Sequence, residues 1–402
     1  MSGKSSEPAP NPGLKGGPLA GLRVFDMTQV AAGPWASLLL GSLGATVLRI
    51  EPPGEKWSGD MSARILPTMN GLGTTWLTCN QFKQSVSLNF KDPEDVQLGY
   101  ELAASCDLYI ENMRKGVAER LGFSYEALQK LNPSIGYVSI NGYGQEGPMS
   151  DQGATDPLIQ AYSGWASLNG TASGEMHRSY AHLDLTSGTY AAYAALLLLL
   201  RRKRTGQGGR LNIAMFRAAL ANQTTKLAEF FAAGSQARPS GSAATRTAPD
   251  QAFRCQDGRY LAVSCETNAQ WQALCDTLHL SGLGATYPTT SDRLAARDKI
   301  SQIVTDVLLT KPSRWWQLRL TKAGVPNSLF LSFDELLGHP QVQANSYLVQ
   351  NQTAFGPLWV GQTPFRYRGR TLPQSRSTSP GADTEAVLSS PAYRTAATGR
   401  VT

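Results

Sequence analysis

The chain has 402 residues, enough for two or three domains that bury their cores without disulfide staples. Charged residues make up 17% of it, with 37 Lys and Arg against 30 Asp and Glu, a formal charge of +7. This excludes a disordered polyelectrolyte and a dedicated nucleic-acid binder, yet suits an anionic ligand. Five cysteines without a CxxC pair point to reduced, buried thiols in a cytoplasmic protein, and four scattered histidines form no metal cluster.

Residues 1–20 read as a disordered tail, with no apolar stretch of the kind a signal peptide carries. A strand is predicted over 22–26, then a helix from about Pro34 to Gly44. Strands follow over 45–50 and 85–90, with a helix over 93–104. A strand over 107–111, a helix capped by Ser124 and ending at Leu131, and a strand over 135–140 continue the pattern. Strand and helix in alternation imply βαβ units and a mostly parallel sheet, an α/β domain over 21–232.

The longest apolar run, 190–200, ends in Arg201-Arg-Lys-Arg204. It falls short of the roughly 20 residues a bilayer helix needs, and predicts a buried helix from Asp184 to Arg202 with a cationic end. A strand over 211–214 and one helix over 215–232 follow. Residues 233–249, rich in Gly, Ser, Ala and Pro, read as a linker. A smaller α+β domain is expected over 250–337. It holds a hairpin turning at Gln256-Asp-Gly258 and helices over 269–278, 291–309 and 313–323. The C-terminal segment 338–402 has strand-like pieces at 358–360 and 365–367 and returns to the large domain.

Gly142-Tyr-Gly-Gln-Glu-Gly147 is a literal GxGxxG after a strand, but Pro148 and a loop follow it where a dinucleotide site needs a helix. It reads as a tight turn. No GxxxxGK[ST] and no GxSxG occur. Asp184, two residues after His182, opens a helical run and reads as its N-cap. A carboxylate at a helix N-terminus also meets free N–H donors, which could stabilise an oxyanion if that carboxylate attacked a carbonyl.

Several segments together resemble the family III CoA-transferases, which include formyl-CoA:oxalate and crotonobetainyl CoA-transferases and the α-methylacyl-CoA racemases. These are Leu22-Arg-Val-Phe-Asp-Met-Thr-Gln-Val-Ala-Ala-Gly-Pro34, Gly44-Ala-Thr-Val-Leu-Arg-Ile-Glu-Pro-Pro-Gly54 and Lys83-Gln-Ser-Val-Ser-Leu88. Further matches are Glu111-Asn-Met-Arg-Lys-Gly116, Glu119-Arg-Leu-Gly122, Asn141 to Pro148, Arg204-Thr-Gly-Gln-Gly208, Gly324-Val-Pro326 and His339-Pro-Gln341. The likeness runs from about residue 20 to 370.

The resemblance implies a Rossmann-like large domain, a small domain closing over the active site, and two interlocked chains. It implies that Asp184, in Ala181-His-Leu-Asp-Leu-Thr-Ser-Gly188, is the catalytic aspartate. It implies CoA contacts from Gln29, Val30, Ala31 and Ala32, from Lys83, from Asn112, Met113 and Arg114, and from Arg120. Among these, Lys83, Arg114 and Arg120 are the cations suited to phosphates. Acyl-CoA would be the substrate, with no metal and no permanently bound cofactor.

The implied activity moves CoA from a donor such as succinyl-CoA to a carboxylic acid, through mixed anhydrides and an aspartyl-CoA thioester. The alternatives are a subunit of a heteromeric transferase of the benzylsuccinate type, or a racemase or epimerase. Two departures bear on this. Thr155 stands where the racemases have a histidine before Asp156, and the glycine-rich loop of the formyl-CoA:oxalate enzymes is not evident between Pro239 and Asp257.

Overall fold

A computed structural model describes residues 16–53, 60–171, 173–234, 238–353, 356–367, 370–371, 376–377 and 379–394. The chain divides into two compact units. One comprises the chain up to Trp165, Ser179–Ala233 and the chain from Gln341; the other comprises Ala166–Arg178 and Gly234–Pro340. Residues 166–178 therefore cluster with the second unit although they lie within the 21–232 span.

The first unit is built on β1 (Arg23–Met27), β2 (Thr46–Glu51), β3 (Lys83–Ser87), β4 (Leu108–Glu111), β5 (Gly136–Asn141) and β6 (Gly209–Ala214). They form one parallel sheet in the order β3-β2-β1-β4-β5-β6. Among the helices of this unit are α1 (Ala32–Ser42), α2 (Pro93–Ala104), α3 (Val117–Arg120), α4 (Tyr125–Leu131), α5 (Asp156–Tyr162), α6 (His182–Thr205), α7 (Met215–Asn222) and α8 (Thr224–Ala233). Successive strand residues feed opposite faces. Val24, Val47, Ile110 and Val138 pack with α1 and α6, while Phe25, Leu48, Tyr109 and Tyr137 pack with Leu102 and Phe123. Both faces are thus covered, and β1, β2, β4 and β5 put apolar residues on both sides.

Local signals fix several element ends. Asp92 caps α2, Ser124 caps α4, and Gly206 ends α6 in the left-handed region at φ 71°. The helix over 215–232 is instead two helices broken at Gln223, whose buried amide donates to Ser163 O (3.2 Å) and Ala219 O (3.0 Å). Helix α6 has the length and composition to cross a membrane, but it lies along the sheet. Leu183, Ala191, Ala195 and Leu198 are buried while Tyr193, Leu196, Leu197 and Leu200 are exposed, so only one face matches the buried helix expected.

The sheet edge at β3 is covered by the C-terminal segment. Ser85 N donates to Asp383 Oδ2 (2.8 Å), Asp383 N donates to Ser85 O (2.9 Å), and Ser87 N donates to Thr384 Oγ1 (2.9 Å). Pairing of this kind removes the hazard of an open edge.

The second unit is α+β. Strands β7 (Asp250–Arg254), β8 (Tyr260–Ser264) and β9 (Asn327–Leu329) are antiparallel, and the hairpin turns at Gly258, φ 77°. They pack with α9 (Asn268–Thr277), α10 (Ser281–Thr286), α11 (Thr290–Ala295), α12 (Arg297–Leu308) and α13 (Ser313–Lys322) around Phe253, Trp271, Val304 and Leu320. The single helix expected over 291–309 is split at Ala296. Thr289 opens α11 with a capping box, and the buried Arg293 guanidinium donates to Ala248 O (2.7 Å) and Pro288 O (3.2 Å), holding this short helix in place.

Candidate active site

In the sheet order found here, the chain reverses direction across the sheet between β1 and β4. The loops leaving these two strands stand at their C-terminal ends, the place where open α/β sheets bind ligands. Two of the segments that the resemblance assigns to CoA, 29–32 and 112–114, are these loops. They are tied to each other: Gln29 N donates to Asn112 Oδ1 (2.8 Å) and Asn112 Nδ2 donates to Gln29 O (2.7 Å). Met113 N donates to the buried Glu111 Oε2 (2.7 Å), and the Met113 side chain packs on the core.

Val30 has φ 68°, a left-handed conformation that is unusual for a β-branched residue. Its N–H donates to Asp60 Oδ1 (3.0 Å). Arg49 donates to the other oxygen of Asp60, to Glu51 Oε1 (3.0 Å) and to Thr28 O (3.2 Å). Asp26 accepts from Thr28 N (2.9 Å), from the Thr28 and Ser37 hydroxyls, and from Lys83 Nζ (3.0 Å). Burial alone would raise the Asp26 carboxyl, but Lys83, Arg49 and the two hydroxyls hold it below the ordinary carboxylate value. The strained loop is thus clamped from below by buried ions.

Lys83 requires a correction. Its ammonium is buried and donates to Asp26 Oδ2, Pro34 O (3.1 Å) and Asn80 Oδ1 (2.8 Å). All three of its donors are occupied, so it is no phosphate ligand in this arrangement; it braces the start of α1. Arg114 and Arg120 lie on the exposed rim instead. A Cβ at Gly153 would stand 2.9 Å from Arg114 Nη2, and one at Gly116 would stand 3.2 Å from Arg120 Nη1. Both guanidinium groups therefore lie against bare glycine backbone. No carboxylate among the described residues pairs with either.

Asp184 is not the N-cap of α6. That position is Ala181, left-handed at φ 46° and without a capping side chain. The acceptor comes from Asp156 on α5, whose Oδ2 receives the N–H groups of Leu183 (2.7 Å) and Asp184 (2.9 Å). A helix start must satisfy its free donors, and a buried anion at the positive dipole end does so. Gln160, one turn along α5, donates to Asp156 Oδ1 and to Ser179 O (2.6 Å) and accepts from Ser179 N (2.8 Å).

Asp184 stands in the first turn, half-buried. Burial and then the negative charge of Asp156 push its carboxyl up to about 7. Gly188, four residues on, lies on the same helix face as Asp184. A Cβ at Gly188 would stand 2.2 Å from Ala32 O, so the backbones of α6 and α1 touch there, and Trp35 Nε1 donates to Thr189 Oγ1 (3.1 Å).

The Gly142–Gly147 stretch is a turn, with Gly144 and Gly147 at φ 104° and 89° and Gly144 N donating to Asn141 Oδ1 (2.6 Å). Sequence reasoning missed Asp60, Arg49 and the capping by Asp156 and Gln160. The i, i+4 spacing of Asp156 and Gln160 behind Thr155, with Pro157 near the helix start, was the available signal.

The sequence model of CoA-transferase family III matches residues 19–384. The mouse succinyl-CoA:glutarate CoA-transferase is 33% identical over 354 residues, covering 87% of this chain and 80% of that protein. The acetyl-CoA:oxalate CoA-transferase of Acetobacter aceti is 32% identical over 372 residues, covering 91% and 93%. A CAIB/BAIF family protein from Brucella suis superposes with a TM-score of 0.84 at 28% identity, covering 92% of this chain and 98% of that one.

Proposed function

The chain belongs to CoA-transferase family III and is an acyl-CoA:carboxylate CoA-transferase, and from that premise we propose that Asp184 is its nucleophile. The observation that carries this is a half-buried carboxyl, pushed up to about 7, in the first turn of a helix whose Gly188 lies against Ala32 at the end of the Gln29–Ala32 loop. A basic carboxylate is a better nucleophile than an ordinary one, and near neutral pH a large share of it is ionised.

The ionised Asp184 attacks the thioester carbonyl of the donor, expelling CoA thiolate and forming a mixed anhydride. The thiolate attacks the aspartyl carbonyl, releasing the donor acid and leaving an aspartyl-CoA thioester. The acceptor carboxylate attacks that thioester, again expelling the thiolate and forming a second anhydride. The thiolate then takes the acceptor acyl group and Asp184 leaves as carboxylate. No water is consumed, and each step exchanges one acyl bond for another.

Arg114 and Arg120 bind CoA phosphates, and Gln29, Val30, Ala31, Ala32, Asn112 and Met113 line the CoA path; Lys83 supports that path from below. The donor is a small acyl-CoA such as succinyl-CoA, in keeping with the named relatives. Thr155 has no group that titrates near neutrality, so the second acid/base that racemisation requires is not supplied from this position. We place the enzyme in the cytoplasm, which suits its five buried, unpaired cysteines. The exposed apolar residues Tyr193, Leu196, Leu197 and Leu200 support an interlocked homodimer.

The test is trapping. Wild-type enzyme given succinyl-CoA and hydroxylamine loses activity and carries a hydroxamate at Asp184, found by peptide mass spectrometry. Asp184→Asn, which cannot form the anhydride, falls to background transfer. Near wild-type turnover in that variant overturns the assignment.

A further inference from the structure

We propose that Asp156 is a positioning residue for the nucleophile: its carboxylate takes the N–H donors at the start of α6, leaving the Asp184 carboxylate beside a fixed like charge. This rests on Asp184 being the nucleophile, and it adds a role for a second acid that does not itself form a bond to substrate.

The geometry is specific. One oxygen of Asp156 receives both Leu183 N–H (2.7 Å) and Asp184 N–H (2.9 Å), donors that would otherwise be available to the Asp184 side chain. Asp156 is 5% exposed, and its other oxygen is held by Gln160, which is in turn fixed to Ser179 N and O. An anion stabilised by a helix N-terminus is a weaker base and a weaker nucleophile. By occupying those donors, Asp156 withholds that stabilisation from Asp184.

The charge of Asp156 also acts along the reaction. In the free enzyme two carboxylates share one helix start. In the mixed anhydride or the aspartyl-CoA thioester, Asp184 is acylated and neutral while Asp156 keeps its charge, so the repulsion is present before attack and absent after it. An interaction that differs between ground state and intermediate in this direction favours acylation. The other charged groups nearby do not compete for this role. Helix α1 carries no ionisable side chain, α5 carries only Asp156 and Tyr162, α7 carries Arg217, β5 carries Tyr137 and β6 Arg210, and α6 itself places His182 in the same turn. Asp156 is the charge that bears on Asp184.

The experiment compares wild type, Asp156→Asn and Gln160→Ala. In wild type the acid limb of kcat/KM is expected near pH 7, where the Asp184 carboxyl loses its proton. Asp156→Asn keeps an oxygen to accept the two N–H groups and loses the charge. Its acid limb should move down by about one pH unit or more, and its kcat should fall ~10–100-fold while the KM for acyl-CoA stays within ~2-fold. Gln160→Ala keeps the charge and loosens its hold, so kcat falls and the limb stays. An unmoved limb with unchanged kcat in Asp156→Asn overturns the proposal. Hydroxylamine trapping separates the two readings: absence of a wild-type adduct at Asp184 overturns the nucleophile, whereas an adduct with an unmoved limb overturns only the role of Asp156. If Asp156→Asn does not fold, Asp156→Ser, which also keeps an oxygen acceptor without the charge, is measured in its place: a lowered limb supports the proposal and an unmoved limb overturns it.

Discussion

Asp26, buried beneath the 28–34 loop, and Asp184, half-buried at the first turn of α6, are acids of one compact unit whose carboxyls are shifted in opposite directions. Around Asp26, burial is outweighed by Lys83, Arg49 and two hydroxyl donors, and the carboxylate is locked in its charged form. Around Asp184, burial is reinforced by Asp156, and the carboxyl is pushed up to about 7. The difference lies in the sign of the neighbour. A buried acid among opposite charges and hydrogen-bond donors holds a shape; a half-buried acid beside a like charge retains reactivity.

The largest effect expected is that of Lys83→Met. It leaves Asp26 buried without its ammonium, and removing one partner of a buried pair costs about 3–5 kcal/mol. Denaturant unfolding should record that loss, with CoA affinity of the folded fraction changed far less. A stable variant with tenfold weaker CoA binding would instead make Lys83 a direct phosphate ligand and break the contrast.

A smaller effect is expected at Asp184. Its folded value, about 7, is raised above the ordinary 3.8, so the native state binds more protons than the unfolded chain between about pH 4 and pH 7. Stability contributed by the protonated form is complete below the unfolded value and is lost as pH rises through about 7. Asp184→Asn should therefore be more stable than wild type at pH 8 by on the order of 2–3 kcal/mol, and the gap should close by pH 4. Equal stability of the two proteins at pH 8 would mean that this carboxyl is not strained.

The smallest effect concerns Val30. If Asp60 holds this residue in its left-handed conformation, Asp60→Asn should cost less stability when Val30 is already glycine. The coupling expected is ~1 kcal/mol, about the steric cost of that conformation for a residue with a Cβ. Strict additivity in the double-mutant cycle would show that the strain is borne elsewhere.

Much of the fold was legible because its signals are local. The apolar strands, Ser124 as a cap, Gly206 as a helix stop and Asp-Gly258 as a hairpin turn each act on neighbours a few residues away. The breaks at Gln223 and Ala296 were not legible. Gln223 is held by Ser163, 60 residues away, and Arg293 by Ala248, 45 residues away, and helical periodicity runs through both breaks unaltered. The rim cations Arg114 and Arg120 and the buried Lys83 looked alike as a set, since charge alone does not reveal whether a long side chain meets solvent or a carboxylate.

What the sequence by itself determined is the α/β pattern, the presence of an acid at the start of a long apolar helix, and the family to which the chain belongs, because these depend on residue type, spacing and order. Only the tertiary structure decided that Ala181 rather than Asp184 opens that helix and that Asp156 caps it from 27 residues upstream of Leu183. The ionisation of Asp184 follows from that packing, because a pKa is set by the charges and the dielectric that surround a group in space.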